Sequence, residues 1–312
     1  MFTYDRYDKS KASEWNDFVL KSKNGTFLFN RKYMDYHSNR FKDHSLIIRE
    51  NNIIIALLPA NIIKTELHSH QGLTYGGLII GPELKTPSFM KMFNELLNNL
   101  RLSGIHQFFY KSIPHIYHRS PAENDIHALF LTDAQLIRCD LLSVVDLRNR
   151  LTMQTRRHRG AKKAKKVGVE IIESNSWREY WAILTHRLEE TYGVKPVHSL
   201  KEIGFLKKEF NPNIRLFTAN YKNEVLAGVV IYESEMVAHS QYIAASDQGQ
   251  RLGALDLLFT ELLETTFSKK KYFDFGNSNG LNGEILNKGL NEFKEGFGAR
   301  TIAHNFYQVV LQ

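Results

Sequence analysis

The 312-residue sequence carries 41 Lys and Arg against 33 Asp and Glu, a formal charge of +8, with 43% apolar residues. That is ordinary for a globular chain of one large core or two medium ones, and 19 Gly, 7 Pro and 12% aromatics exclude collagen-like, coiled-coil and disordered readings. The single cysteine, Cys139, excludes an internal disulfide and a cysteine-based zinc module, and fits a reducing compartment.

The opening MFTYDRYDKSKASEW alternates charge with aromatics and has no apolar core, so it does not read as a secretory signal. The most apolar run, Ile53 to Ile63, is broken by Pro59 and Asn61 and is too short to span a bilayer. A cytoplasmic protein with no transmembrane segment is expected.

A helical pattern over Lys11 to Lys21 precedes a strand over Ser45 to Arg49, an ENN turn and the run from Ile53. A glycine-punctuated strand follows from Leu73 to Ile80. Met92, Phe93, Leu96, Leu97 and Leu100 then recur at helical spacing within Phe89 to Leu102. Gly104 closes that helix, and Ile105 to Tyr110 reads as a further strand.

After the apolar stretch from Leu141 to Leu151, the segment RRHRGAKKAKK holds seven cations and no acid. Nearly all of the net charge therefore sits in one place. As a helix it would bring Arg156, Arg159, Lys163 and Lys166 to one face. It is either a solvated linker helix or an anion site for the phosphates of a nucleotide, a CoA or a tRNA. A domain boundary is expected here, dividing residues 1–150 from 151–312.

Beyond it the plan repeats. A helix over Trp177 to Thr191 precedes strands Ile214 to Ala219, Val225 to Tyr232 and Met236 to Ala245. A helix from Gly253 to Phe267 and a strand from Tyr272 to Phe275 follow. Two β-β-β-α-β units of nearly equal length imply an α/β architecture with one mixed, helix-flanked sheet per half.

The segment QYIAASDQGQRLGALDLLFTELLE followed by KYFDFGNSNG resembles the fourth strand, cofactor-phosphate turn, helix and fifth strand of GNAT acyltransferases. Gln250-Arg251-Leu252-Gly253 matches the first half of the turn, while Leu255 stands at its last small position. RRHRGAKKAKKVGVEI, FDFGNS and LNKGLNEFKEGFGAR resemble the second domain of Fem-type aminoacyl transferases and their FemAB-like relatives. Phe293, Lys294, Glu295, Gly296, Phe297 and Gly298 match the closing Phe-Lys-x-x-Phe-Gly signature.

The resemblance implies two tandem GNAT-like domains facing each other across a cleft. The N-terminal one would be degenerate and serve the acceptor, and the C-terminal one would be the acyltransferase. It implies an acyl-CoA co-substrate, acetyl-CoA first, held by Ala244, Ala245, Gln250, Arg251, Gly253 and Ala254. It further implies N-acyl transfer to an amine of a cell-envelope or polysaccharide sugar precursor, such as a sugar nucleotide. Two alternatives stand beside it: an aminoacyl-tRNA-dependent peptidoglycan-type transferase, and a non-catalytic binding protein of the same fold. Nothing between Val167 and Ile214 is long enough for the coiled-coil arm of many Fem-type enzymes, which weighs against the tRNA reading. No DNA partner is implied.

Acyl transfer to an amine needs a base, a stabilised oxyanion and a protonated leaving group. Lys294 is the candidate cation for the oxyanion or a phosphate. Asp274, ending an apolar strand beside Gly276, can orient the amine or take its proton. His239 is a candidate base. Tyr242 lies three residues on, which in a regular strand puts it on the opposite face and across a bulge does not. Lys195 and His198, in the loop YGVKPVHS, are candidates for an acceptor wall, and Asn277 and Ser278 for substrate hydrogen bonds. His68-Ser69-His70 and His115 to His118 have no carboxylate or Cys at ligand spacing, so no metal is expected.

Overall fold

In chain order, the computed structural model runs β1 (Phe2–Arg6), α1 (Ala12–Lys21), α2 (Arg31–Asp35), β2 (Leu46–Glu50), β3 (Ile53–Leu58), β4 (Asn61–Ile63), β5 (Glu66–His68), β6 (Ile79–Ile80), α3 (Thr86–Leu102) and β7 (Gln107–Lys111). Then come α4 (Asn124–Leu131), β8 (Gln135–Asp146), α5 (Thr155–Lys166), β9 (Glu170–Glu173), α6 (Trp177–Tyr192), α7 (Leu200–Glu209), β10 (Ile214–Tyr221), β11 (Glu224–Glu233) and β12 (Val237–Ala245). The chain closes with α8 (Asp247–Leu252), α9 (Ala254–Glu261), β13 (Tyr272–Asn277), β14 (Asn279–Gly280), β15 (Ile285–Leu286), α10 (Lys288–Glu295) and β16 (Arg300–Val310). The described residues are 1–36 and 38–311.

Two units result. The first comprises Met1–Asp140, Asn282–Glu284 and Ala303–Gln312, and the second Leu141–Leu281 and Ile285–Ile302. The division falls inside β8 rather than at residue 150, and the end of the chain returns to the first unit. The reason is pairing: β16 runs antiparallel to β7, from Phe306 opposite Lys111 to Val310 opposite Gln107.

In the first unit β1, β2, β3 and β6 form an antiparallel sheet, and β4, β5, β7 and β16 pair in that order. The helical spacing read in the sequence is the packed face of α3: Phe89, Met92, Phe93, Leu96 and Leu100 are buried. The expected strand over Leu73 to Ile80 shrinks to Ile79–Ile80. A Cβ on Gly76 would lie 1.8 Å from the carbonyl oxygen of Ser69, and Gly77 has φ +85°. The backbone turns there instead of extending.

In the second unit β13 pairs antiparallel with Leu142–Asp146 of β8 and parallel with β12, and β11, β10 and β9 follow antiparallel. The two faces of this sheet are clothed differently. On one, Phe259 and Leu258 of α9 pack on Ile231, Phe273, Phe275 and Phe297. On the other, Gly228 leaves room for the ring of Tyr180 from α6, which an added Cβ would meet at 2.5 Å. The basic segment is a helix, α5, with Ala161 and Ala164 as its buried seam.

Candidate functional site

Strands β12 and β13 are hydrogen-bonded neighbours only at Val237–Tyr272, Ala238–Phe273 and His239–Asp274. From Ser240 to Ala245 the β13-side edge of β12 has no ladder partner among the described residues. The strands part, and the polar groups collect where they do.

At the same place the β11–β12 register slips: Val230 faces Tyr242, Tyr232 faces His239, and Ile231 faces Ser240. One residue of β12, Gln241, is extra. Directly opposed residues of an antiparallel pair project to the same side. Val230 and Tyr232 are two apart on β11 and share a face. Hence His239 and Tyr242 share that face too, although three residues separate them. The bulge decides between the two arrangements left open by the sequence.

His239 is buried, and its Nδ1 lies 2.9 Å from Oδ2 of Asp274. A carboxylate only accepts, so Nδ1 carries the proton and Nε2 presents its lone pair. The other carboxylate oxygen of Asp274 accepts from the backbone N–H of Gly276 at 2.7 Å. With 1% exposure, Asp274 does not meet a substrate amine itself. It fixes the tautomer and orientation of His239.

Lys294 is 2% exposed. Its Nζ donates to the carbonyl oxygen of Gly276 at 3.0 Å and to that of Asn277. Burial lowers its pKa to about 8, partly opposed by the charge of Asp274. The residue expected to bind an oxyanion is thus tied to the end of β13. Two of its three protons hold the turn that positions Gly276 over the His239 ring, 3.3 Å from Cε1 to an added Cβ.

Tyr242 reaches the loop between α6 and α7. His198 Nδ1 lies 2.5 Å from the Tyr242 hydroxyl, and the His198 backbone N–H donates to the same oxygen at 3.3 Å. Trp181 packs edge-on against the Tyr242 ring at 5.2 Å. The hydroxyls of Tyr180 and Ser240 and Oε1 of Gln241 are buried without a hydrogen-bond partner among the described residues. Such groups are rare in folded proteins. The aromatics of α6 read in the sequence as an apolar seam, and that spacing gives no hint that one hydroxyl is orphaned.

No known family profile and no curated protein matches the sequence. Solved structures do match in shape. FemX has a TM-score of 0.70 at 9% identity, covering 99% of this chain and 97% of its own. L-PGS from Bacillus licheniformis has a TM-score of 0.58 at 14% identity, covering 98% and 92%. A tandem GNAT protein from the clavulanic acid biosynthesis pathway has a TM-score of 0.50 at 10% identity, covering 100% and 99%. The fold is the FemAB-like tandem GNAT fold.

Within this GNAT fold, several expected positions lie elsewhere than anticipated. Ala244 and Ala245 are buried at the end of β12. The helix begins at Ser246, whose hydroxyl caps the Gly249 amide at 3.1 Å, so Gln250 and Arg251 fall inside α8. The Gln250 amide donates to the Ser246 carbonyl, and that of Gly253 to Gln250. Gly253, at φ +79°, lies against α5, 2.7 Å from an added Cβ to the carbonyl oxygen of Gly160, and Ala254 is fully buried. The expected phosphate turn is therefore a helix–helix contact. The amides of Gln250 and Gly253 are committed to hydrogen bonds within the helical segment, and Gly253 packs against α5.

That contact also divides the basic helix. Arg157 pairs with Asp256 at 2.8 Å and stacks over Phe293 and Phe297, Arg156 donates to the carbonyl of Glu292, and Lys163 to that of Arg251. Arg159 and Lys166 are exposed. Lys195 is exposed beside Glu189 at 4.0 Å, whereas His198 of the same loop is buried. Ser278 is buried, with its hydroxyl 3.5 Å from that of Ser143, and does not face a substrate. The Asn277 residue is exposed. Among the described residues no cluster of His, Cys, Asp and Glu can hold a metal, and no helix is long and apolar enough to cross a membrane.

Proposed function

We propose that the protein is a GNAT-type N-acyltransferase whose second unit joins an activated acyl group to an amine at the parting of β12 and β13. The observation that carries this reading is the His239–Asp274 pair on one sheet face with Tyr242. As the amine attacks, its nitrogen bonds to the acyl carbon and its proton passes to His239 Nε2. The carbon–sulfur bond of a thioester breaks, the departing sulfur takes the proton of the Tyr242 hydroxyl, and solvent re-protonates the tyrosinate as His239 releases the amine's proton. A free amide of the bulged β12 edge is the natural donor to the developing oxyanion.

In this reading the donor is an acyl-CoA, acetyl-CoA first, and the acceptor an amine of a cell-envelope or polysaccharide sugar precursor. The lone thiol of Cys139 supports a reducing, cytoplasmic setting. The decisive assay is release of free thiol from acetyl-CoA in the presence of amino-sugar nucleotides. Release that saturates and disappears in His239→Asn supports it. No release with any acceptor sinks it.

A second reading takes aminoacyl-tRNA as donor. It is favoured by the covered glycine turn and by Arg159, Lys162, Lys165 and Lys166, which are exposed on α5 without an ion-pair partner among the described residues. Affinity for charged tRNA would then fall steeply with salt, because each lysine–phosphate contact releases counterions. Binding that is flat across salt concentration removes this reading.

A further inference from the structure

The first unit has a cavity that plays no part in the chemistry above. Phe108 and Tyr110 of β7 point into the core, so Phe109 and Lys111 face the other way. On that outer face His68 of β5 stands opposite Phe109, and Phe306 of β16 opposite Lys111. The His68 imidazole stacks on the Phe109 ring, 4.7 Å between centroids and 7° from parallel. The guanidinium of Arg138 lies 4.6 Å over the Phe306 ring. These groups border a cavity of about 410 Å³. That is the size of a small-molecule site, with flat apolar walls and a few polar groups.

Its electrostatics are lopsided. Arg138 is satisfied by Asp140 through two hydrogen bonds of 2.8 and 2.6 Å, so that pair is neutral. Lys111 has no such partner: its ammonium donates to the backbone carbonyl of Leu73, and no ion pair joins it to a carboxylate among the described residues. Burial lowers its pKa to about 8, helped by Arg138 and opposed by Asp140. A half-buried ammonium that faces a cavity and has no carboxylate bonded to it is a ready partner for an anion.

We propose that this cavity is a binding site for a small anion, a carboxylate or phosphate monoester, carried on a flat apolar body. Lys111 holds the anion, and the stacked His68 and Phe109 rings with Phe306 wall the body. The site stands independently of the acyl-transfer reading, since all its residues belong to the first unit.

Titration calorimetry of the full chain with 2-naphthoate, 2-naphthyl phosphate and neutral 2-naphthol tests it, the two anions telling the carboxylate from the phosphate source. At least one anion is expected to bind at one per chain, about tenfold tighter or more than naphthol, the usual worth of a charge-assisted hydrogen bond. Lys111→Met should erase that advantage, and Ile137→Trp should block the cavity from its half-exposed rim. Equal affinity for naphthol and both anions overturns the proposal, as does undiminished binding in either variant. Were Lys111→Met not to fold, the comparison of naphthol with the anions and the Ile137→Trp titration would still decide it.

Discussion

In each unit a strand precedes a helical segment and another strand follows it, but the gap between those strands is treated in opposite ways. In the first unit the pair is β6 and β7, and no ladder joins them. The Tyr110 hydroxyl seals the gap, accepting from the Leu78 amide at 2.8 Å and donating to Asp125. Gly77 is pressed so close that an added Cβ would stand 2.8 Å from that hydroxyl. In the second unit the pair is β12 and β13, joined for three residues and then parting around His239, Asp274 and Tyr242. One gap is closed by a tyrosine whose hydrogen bonds are made internally. The other ends in an imidazole nitrogen with a lone pair to offer. The same layout gives a closed wall where its polar atoms satisfy one another, and an open polar edge where one is left over.

Substitutions can break this contrast, and the largest effect is expected at the imidazole. His239→Asn should lower turnover by about 10² to 10⁴-fold in thiol-release kinetics while the protein stays folded. Asp274→Asn should lower turnover comparably and change the pH profile, because His239 loses the partner that sets its tautomer. Full activity in either variant would make the second gap as inert as the first. Tyr242→Phe, which keeps the ring against Trp181 and removes the proton donor, is expected to cost about 10²-fold.

Tyr110→Phe sharpens the comparison from the other side. It should leave turnover intact and cost about 1 to 3 kcal/mol in denaturant unfolding, because the Leu78 amide and Asp125 both lose a buried partner. Burial raises the Asp125 pKa to about 6, against the lowering effect of the Tyr110 hydrogen bond. A carboxyl raised on folding contributes stability that is full below its unfolded pKa and lost as pH rises through the folded one. The parent should therefore lose stability between about pH 4 and pH 6. In the variant, with the lowering bond gone, the loss should extend to higher pH. At the small end, Lys166→Ala on the exposed face of α5 should change stability by no more than about 0.5 kcal/mol.

The doubled β-β-β-α-β plan was legible because amphipathic helices such as α3 and apolar strands such as β11 announce their period locally. Lys294 and Asp274 were visible as part of a motif, but their roles were not, since burial depends on α10 folding back on β13. The glycine turn misled for a definable reason. Ser246 with Asp247 is a stronger helix start than Gln250-Arg251, so the helix begins early and Gly253 becomes its left-handed end. The bulge at Gln241 had no local signature, because a slip of register belongs to two strands. The outer face of β7 was equally silent, since His68, Lys111 and Phe306 are brought together only by pairing across long stretches of sequence.

The partnership of β16 with β7 sets an order of events for folding. During synthesis the edge of β7 that β16 will cover is made early, and its partner emerges only after the whole of the second unit. Until then Gln107 to Lys111 presents an unpaired strand edge, the kind of surface that invites pairing with the wrong chain. The first unit is thus finished last, and any nascent-chain chaperone that spares it would have to act on that strand.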